Sequence, residues 1–195
     1  LAWSQIMPTS YRGAFAPAPT AMWTDGWTNF DPQNTVYPST NLVNVTSNVT
    51  TNTTWTTGNT YVLKTQVYVT NNATLTIQPG VVVLGDQIAN GAALIVTRGA
   101  KLNAIGTATQ PIVFTSDKAP GQRARGDWGG VVLLGNGSYN VNGGVGNIEG
   151  IAPTPNTTFG GGATPNDNDN SGTLKYVRIE FGGYVYATNA EINGL

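Results

Sequence analysis

Short runs of β-branched and other apolar residues recur along the chain from Tyr61 onward: Tyr61 to Val69, Leu75 to Ile77, Val81 to Leu84, Leu94 to Thr97, Ile112 to Thr115, Val131 to Leu134 and Tyr176 to Phe181. Each run is bounded by Gly, Asn or Pro, the pattern of a strand between turns. No stretch carries apolar residues at i, i+3, i+4 and i+7 over several turns, so the class is all-β. The strand centres Thr76, Ile95, Val113 and Val132 lie 19, 18 and 19 residues apart, at about the short end of solenoid repeats. Such a coil is too short for a propeller blade, and a sandwich or jelly roll, the competing architecture, seldom keeps so constant a spacing. The pattern predicts a right-handed parallel β-helix. Leu75 and Ile77, then Leu94 and Val96, alternate so as to point inward. Gln78-Pro79-Gly80, Arg98-Gly99-Ala100 and Asn103 to Gly106 are expected turns. The next centre, Val177, lies 45 residues beyond Val132, which places an inserted loop at about 136–173.

Residues 1–57 lack this period. They are Pro-containing and aromatic to about Pro38, then rich in Thr, Asn and Val, with β-branched and polar residues alternating from Val43 to Trp55. We expect an N-terminal cap or extended arm ahead of coils spanning 58–195, because the first coil otherwise exposes apolar surface and unpaired strand edges. Trp23, Trp27 and Phe30 are the residues expected to plug that end, with Trp55 beside them. An extended arm also invites strand addition to a neighbour.

The series Ala73 to Gly80 (ATLTIQPG), Ala93 to Leu102 (ALIVTRGAKL), Pro111 to Ser116 (PIVFTS), Gly126 to Gly135 (GDWGGVVLLG) and Leu174 to Gly183 (LKYVRIEFGG) resembles a family of large secreted bacterial parallel β-helix proteins. Many of these are exported with a C-terminal sorting domain, and most lack an assigned activity. The resemblance spans roughly residues 58 to 195 and implies the fold and export.

Composition narrows the chemistry. Of 195 residues only 10% are charged and the net charge is -1, so there is no basic face for nucleic acid. No stretch approaches the roughly 20 apolar residues of a membrane span. The chain has no Cys and no His, which excludes thiol nucleophiles, Ser-His-Asp triads and the usual zinc sites. A neutral, hydroxyl-rich surface and a first residue other than Met fit a secreted, extracellular or cell-surface protein.

Asp167, Asp169 and Ser171, followed by Gly172, reproduce the first half of a calcium loop, in which alternate oxygens converge and Gly permits the turn. The position where such a loop carries its bidentate Glu is Arg178, so a site would borrow ligands such as a backbone carbonyl or Glu180; a solvated Asn/Asp-rich turn is the alternative. No other cofactor is implied. Asn44, Asn48, Asn52, Asn72, Asn136 and Asn156 begin Asn-x-Ser/Thr triplets, acceptors for glycosylation in a host that performs it. Trp55, Tyr61 and Tyr68 are candidates for stacking on sugar rings, although aromatics near a solenoid end more often pack its cap. Arg125-Gly126-Asp127 reads as part of a coil rather than an adhesion signal, and Asp117, Lys118, Arg123 and Arg125 crowd one loop, read as solvated surface charge with a polar site for acidic sugars as the alternative. Lyases and hydrolases on such folds need carboxylates paired on one face, and Asp86, Asp117, Asp127, Glu149, Glu180 and Glu191 do not recur at coil spacing. The leading expectation is an extracellular structural protein that joins copies of itself head to tail into a filament or fibre. A glycan-binding adhesin module, using the coil face or the inserted loop, is the alternative; a polysaccharide lyase or hydrolase is the weakest.

Overall fold

The structure is a computed structural model that describes residues 15–17, 20–38, 40–87 and 91–195. Its strands are β1 (Leu42–Val45), β2 (Thr53–Trp55), β3 (Thr60–Leu63), β4 (Gln66–Val69), β5 (Thr74–Ile77), β6 (Val82–Gly85), β7 (Ala93–Val96), β8 (Lys101–Ile105), β9 (Ile112–Ser116), β10 (Gly130–Leu133), β11 (Gly146–Asn147), β12 (Thr158–Phe159), β13 (Gly172–Lys175), β14 (Val177–Ile179), β15 (Val185–Ala187) and β16 (Ala190–Glu191). Three parallel sheets wind into a right-handed β-helix: a first sheet ordered β1-β3-β6-β9-β14, a second β4-β7-β10 and a third β2-β5-β8-β13. Each coil visits the three in turn. The run read from Tyr61 to Val69 is thus two strands, β3 and β4, with Lys64 and Thr65 at the corner between sheets.

Inward residues stack in columns. Tyr61, Val83, Phe114 and Ile179 align on the first sheet, Val67, Leu94 and Val131 on the second, and Trp55, Ile77, Ala104 and Leu174 on the third. Strand alternation sends every second side chain into the axis, and the resulting core is fully dry at Leu63, Val67, Leu75, Leu94, Leu102, Phe114 and Trp128. Each buried Leu, Ile or Val contributes about 1.5–3 kcal/mol. Gly85 interrupts one column because Trp128 fills its space: a Cβ on Gly85 would meet the indole ring at 2.5 Å.

The regular 19-residue period does not survive. Thr76, Ile95, Val113 and Val132 belong to the third, second, first and second sheets respectively, so of the four only Ile95 and Val132 are stacked, and those two lie 37 residues apart. True coil steps lengthen along the chain: Leu42 pairs with Thr60, Thr60 with Val82, Val82 with Val113, and Ile112 with Val177. Loops at the corners absorb the added residues, because pairing constrains strands and leaves connections free. Gly80 and Gly99 do turn at positive φ, 78° and 81°, but Asn103 and Ala104 lie within β8 and make no turn.

The coils begin at Leu42, not at residue 58. The tract read as one extended strand folds as β1, a single bridge from Val49 to Val69, and β2. Side chains extend this first coil's ladders: Asn48 Oδ1 accepts from Tyr68 N (3.0 Å) and Asn52 Oδ1 from Thr74 N (2.9 Å). Trp55 lies on β2, the first-coil edge of the third sheet. It is 4% exposed and stacks on Tyr61 at 4.6 Å, so neither ring faces solvent for a sugar.

Residues 20–38 do not plug the first coil. They form a strap along the outside, from the fifth coil back to the second. Trp27 packs edge-on against Tyr176 (5.8 Å), the Gly121 N–H donates to Gln33 O (2.8 Å), and the Thr60 hydroxyl donates to Pro38 O (2.8 Å). Trp23 and Phe30 are 56% and 89% exposed. This part of the expected cap or arm is therefore engaged within its own chain; residues 1–14 lie outside the described residues.

Candidate functional site

Where the strap meets the coils, two guanidinium groups need partners and the strap's backbone supplies them. Arg123, 5% exposed, donates to Pro32 O (3.0 Å), Thr35 O (2.6 Å) and Lys118 O (3.1 Å). Arg178 donates to Trp27 O (3.0 Å) and Glu180 Oε1 (3.1 Å). Tyr37 donates to Glu180 and lies under both guanidinium groups, 4.9 and 5.7 Å from its ring centre. Burial, then the hydrogen bond and charge of Glu180, raise the Tyr37 phenol above its ordinary value. Every charge here answers another group, as buried charge must. The charges of this loop, read as solvated surface with an acidic-sugar site as the alternative, are thus largely spent on structure, and Asp127 of the Arg-Gly-Asp triplet is buried against Lys118 Nζ at 2.6 Å.

Two carboxylates do stack, contrary to expectation. Gly85 pairs with Ser116, so the next residues, Asp86 and Asp117, fall in one column, with Lys64 a coil earlier donating to Asp86 at 2.7 Å. Their separation of 31 residues hid the match from a 19-residue ruler. Burial, then the hydrogen bond and charge of Asp86, push Asp117 up to about 6. Burial opposes ionisation of Asp86 too, but hydrogen bonds from Lys64 and Asp117 outweigh it and hold that carboxyl below its ordinary value.

In the inserted loop, the calcium-type residues are used as anchors. Asp167 accepts from Ser138 N (2.6 Å) and Ser138 Oγ (3.0 Å), which lowers its pKa. Asp169 accepts from Asn136 N (3.0 Å), and Ser171 gives its carbonyl to Leu102 N (2.9 Å). Glu180 stays with Tyr37 and Arg178. The oxygens are thus turned to separate donors, and among the described residues no group of three metal-binding side chains occurs. Of the sequons, Asn48 and Asn52 hold the first coil as described, Asn44 lies in β1, Asn72 turns at φ 57°, and Asn136 and Asn156 lie in the loop.

The outer face of the second sheet carries the most ligand-like geometry. Ala93 and Ile95 point outward there and lie in a second apolar cluster with Leu134 just after β10, Ile148 of the inserted loop and Ile192 after the β15–β16 hairpin. Beside it, Tyr68, Gln66, Thr65, Tyr186 and the loop residues Gly150 to Ala152 line a cleft of about 470 Å³. Gln66 and Tyr68 project from β4 because both occupy its outward positions. A directed chain joins the polar groups: the Tyr68 hydroxyl donates to Gln66 Oε1 (3.0 Å), Gln66 Nε2 to the Tyr186 oxygen (3.3 Å), and the Tyr186 hydroxyl to Gly91 O (3.3 Å). Burial pushes Tyr186 up to about 12, and burial also raises Tyr68. Tyr68 was legible as an exposed aromatic; Gln66 and Tyr186 were not, since nothing in sequence brings residues so distant to one face.

A family model described as pectate-lyase like beta helix domain matches residues 47–195. The chain belongs to this family, whose match begins within the first coil. No curated protein and no solved structure matches it. Among the described residues no helix is long and apolar enough to cross a membrane.

Proposed function

We propose that this β-helix domain is a carbohydrate-binding module of a secreted, extracellular protein, with its site in the cleft on the outer face of the second sheet. The observation that carries the reading is the convergence of Tyr68, Gln66 and Tyr186 in one concavity: aromatic faces to lie against sugar rings, and amide and phenol groups to meet their hydroxyls. Its size falls within the range of about 300–1,000 Å³ usual for ligand pockets. Catalysis has less support, because Asp86 and Asp117 lie outside the residues that line this cleft and are held by Lys64 and by each other. Affinity electrophoresis in gels containing soluble polysaccharides tests the reading. Retardation of the parent chain, lost in Tyr68→Ala, is the expected result; unaltered mobility in every gel would reject it.

A further inference from the structure

We infer that the cleft selects neutral, hydroxyl-rich glycans and rejects uronates. The inference rests on the binding reading above and goes further, since it specifies the ligand from the direction of the hydrogen bonds.

Each phenolic proton in the cleft is already committed inward. Tyr68 gives its proton to Gln66 Oε1, and Tyr186 gives its own to Gly91 O. What Tyr68 turns toward a ligand is therefore an oxygen lone pair, while the Tyr186 oxygen already accepts from Gln66 Nε2 and offers no proton. A sugar hydroxyl can donate to such an acceptor. A carboxylate, which when ionised only accepts, finds the same charge pattern it carries and meets repulsion. The lining agrees, for Thr65, Gln66, Tyr68, Gly150, Ile151, Ala152 and Tyr186 include no Lys or Arg to neutralise an anion. Buried phenols also resist ionisation, so the pattern holds at neutral pH. The cations that would suit a uronate are elsewhere: Arg123 and Arg178 are bound under the strap, and Lys64 is paired with Asp86.

Calorimetric titration of the whole chain with cellohexaose, mannohexaose and hexagalacturonate tests this, with Tyr68→Ala, Tyr68→Phe and Gln66→Lys alongside and melting temperatures to show that each variant folds. At least one neutral hexasaccharide is expected to bind at least about tenfold more tightly than hexagalacturonate, and to lose about tenfold or more in Tyr68→Ala. Tyr68→Phe, which keeps the ring and removes the oxygen acceptor, should lose less. Gln66→Lys places a cation in the cleft and should tighten hexagalacturonate relative to the parent. Should hexagalacturonate bind the parent best, and through Tyr68, the ligand class is overturned while the binding site stands. Glycan binding indifferent to Tyr68→Ala, or no binding to any of the three, overturns both the site and the inference.

Discussion

On the second sheet, one set of strands builds two unlike surfaces. Facing the axis, Val67, Leu94 and Val131 repeat one chemistry coil after coil, each fully buried. Facing outward on the same strands, Tyr68, Ile95 and Val132 stack in register, yet their surroundings differ at each level: Ile95 is sealed by the second apolar cluster, whereas Tyr68 borders the open cleft. The inward column is made by the coils themselves. The outward surface is made by excursions, the inserted loop and the β15–β16 hairpin, which fold back over one sheet. A solenoid thus separates stability from specificity: repetition supplies the core, and departures from repetition supply a site.

That contrast is open to attack first at its strongest point. Trp128 is fully buried, takes the space left by Gly85 and donates from Nε1 to Glu180 O at 2.8 Å. Trp128→Ala should cost about 3–5 kcal/mol, read as a fall in the urea midpoint. Ile148→Ala, in the outer cluster, should cost about 2 kcal/mol, since a surface excursion can settle into the space vacated. A larger loss at Ile148 would mean that the excursions hold the coils rather than decorate them. Tyr37→Phe comes next. It removes a hydroxyl that donates to a nearly buried carboxylate, so about 1–2 kcal/mol is expected, with faster proteolytic cleavage of residues 20–38 as the local signature.

The inward half of this comparison was readable from sequence and the outward half was not. Alternation at Leu75 and Ile77, or at Leu94 and Val96, reports a buried face directly, because pleating makes every second residue share an environment. Spacing between strands misled, because three sheets per coil let strands of different sheets mimic a period: Thr76 and Ile95 are 19 residues apart and lie on different sides. The same error hid Asp86 beside Asp117 and left the first coil inside the arm, where short strands separated by Asn looked like one. Trp27 and Phe30 were read as a plug since they are apolar and precede the coils. Strap placement depends instead on Arg123 and Arg178, far along the chain, whose need for carbonyl partners no local pattern records. Tyr186 reaches the cleft only through the hairpin that carries it.

Acidity sharpens the comparison further, at the corner where the first sheet ends. Asp117, raised to about 6, binds a proton more tightly folded than unfolded. Its contribution is therefore fully present below the unfolded value near 4 and is lost as pH rises through about 6. Asp86 is held below its ordinary value and contributes in the opposite sense, losing stability only at pH below that range. Between pH 5 and 7, as rough bounds for the folded transition, the parent melting temperature should fall more than that of Asp117→Asn, whose amide cannot titrate. Parallel pH profiles for the two chains would place the shared proton elsewhere.

The smallest effect is expected in the inserted loop, where Asp167 and Asp169 anchor turns by side-chain hydrogen bonds. Asp169→Ala removes the acceptor for Asn136 N and should cost about 1 kcal/mol or less of global stability, because β10 and β13 on either side remain paired with β7 and β8. Its visible consequence should be faster proteolysis between residues 136 and 170, with Asp167→Ala acting likewise through Ser138. Calcium separates anchoring from ion binding. An ion held by these carboxylates would raise the melting temperature of the parent, reversibly with EDTA, and not that of Asp167→Ala. Anchoring by backbone N–H groups alone predicts the same proteolysis rates with and without calcium, and the bonds to Ser138 and Asn136 make that the expected outcome.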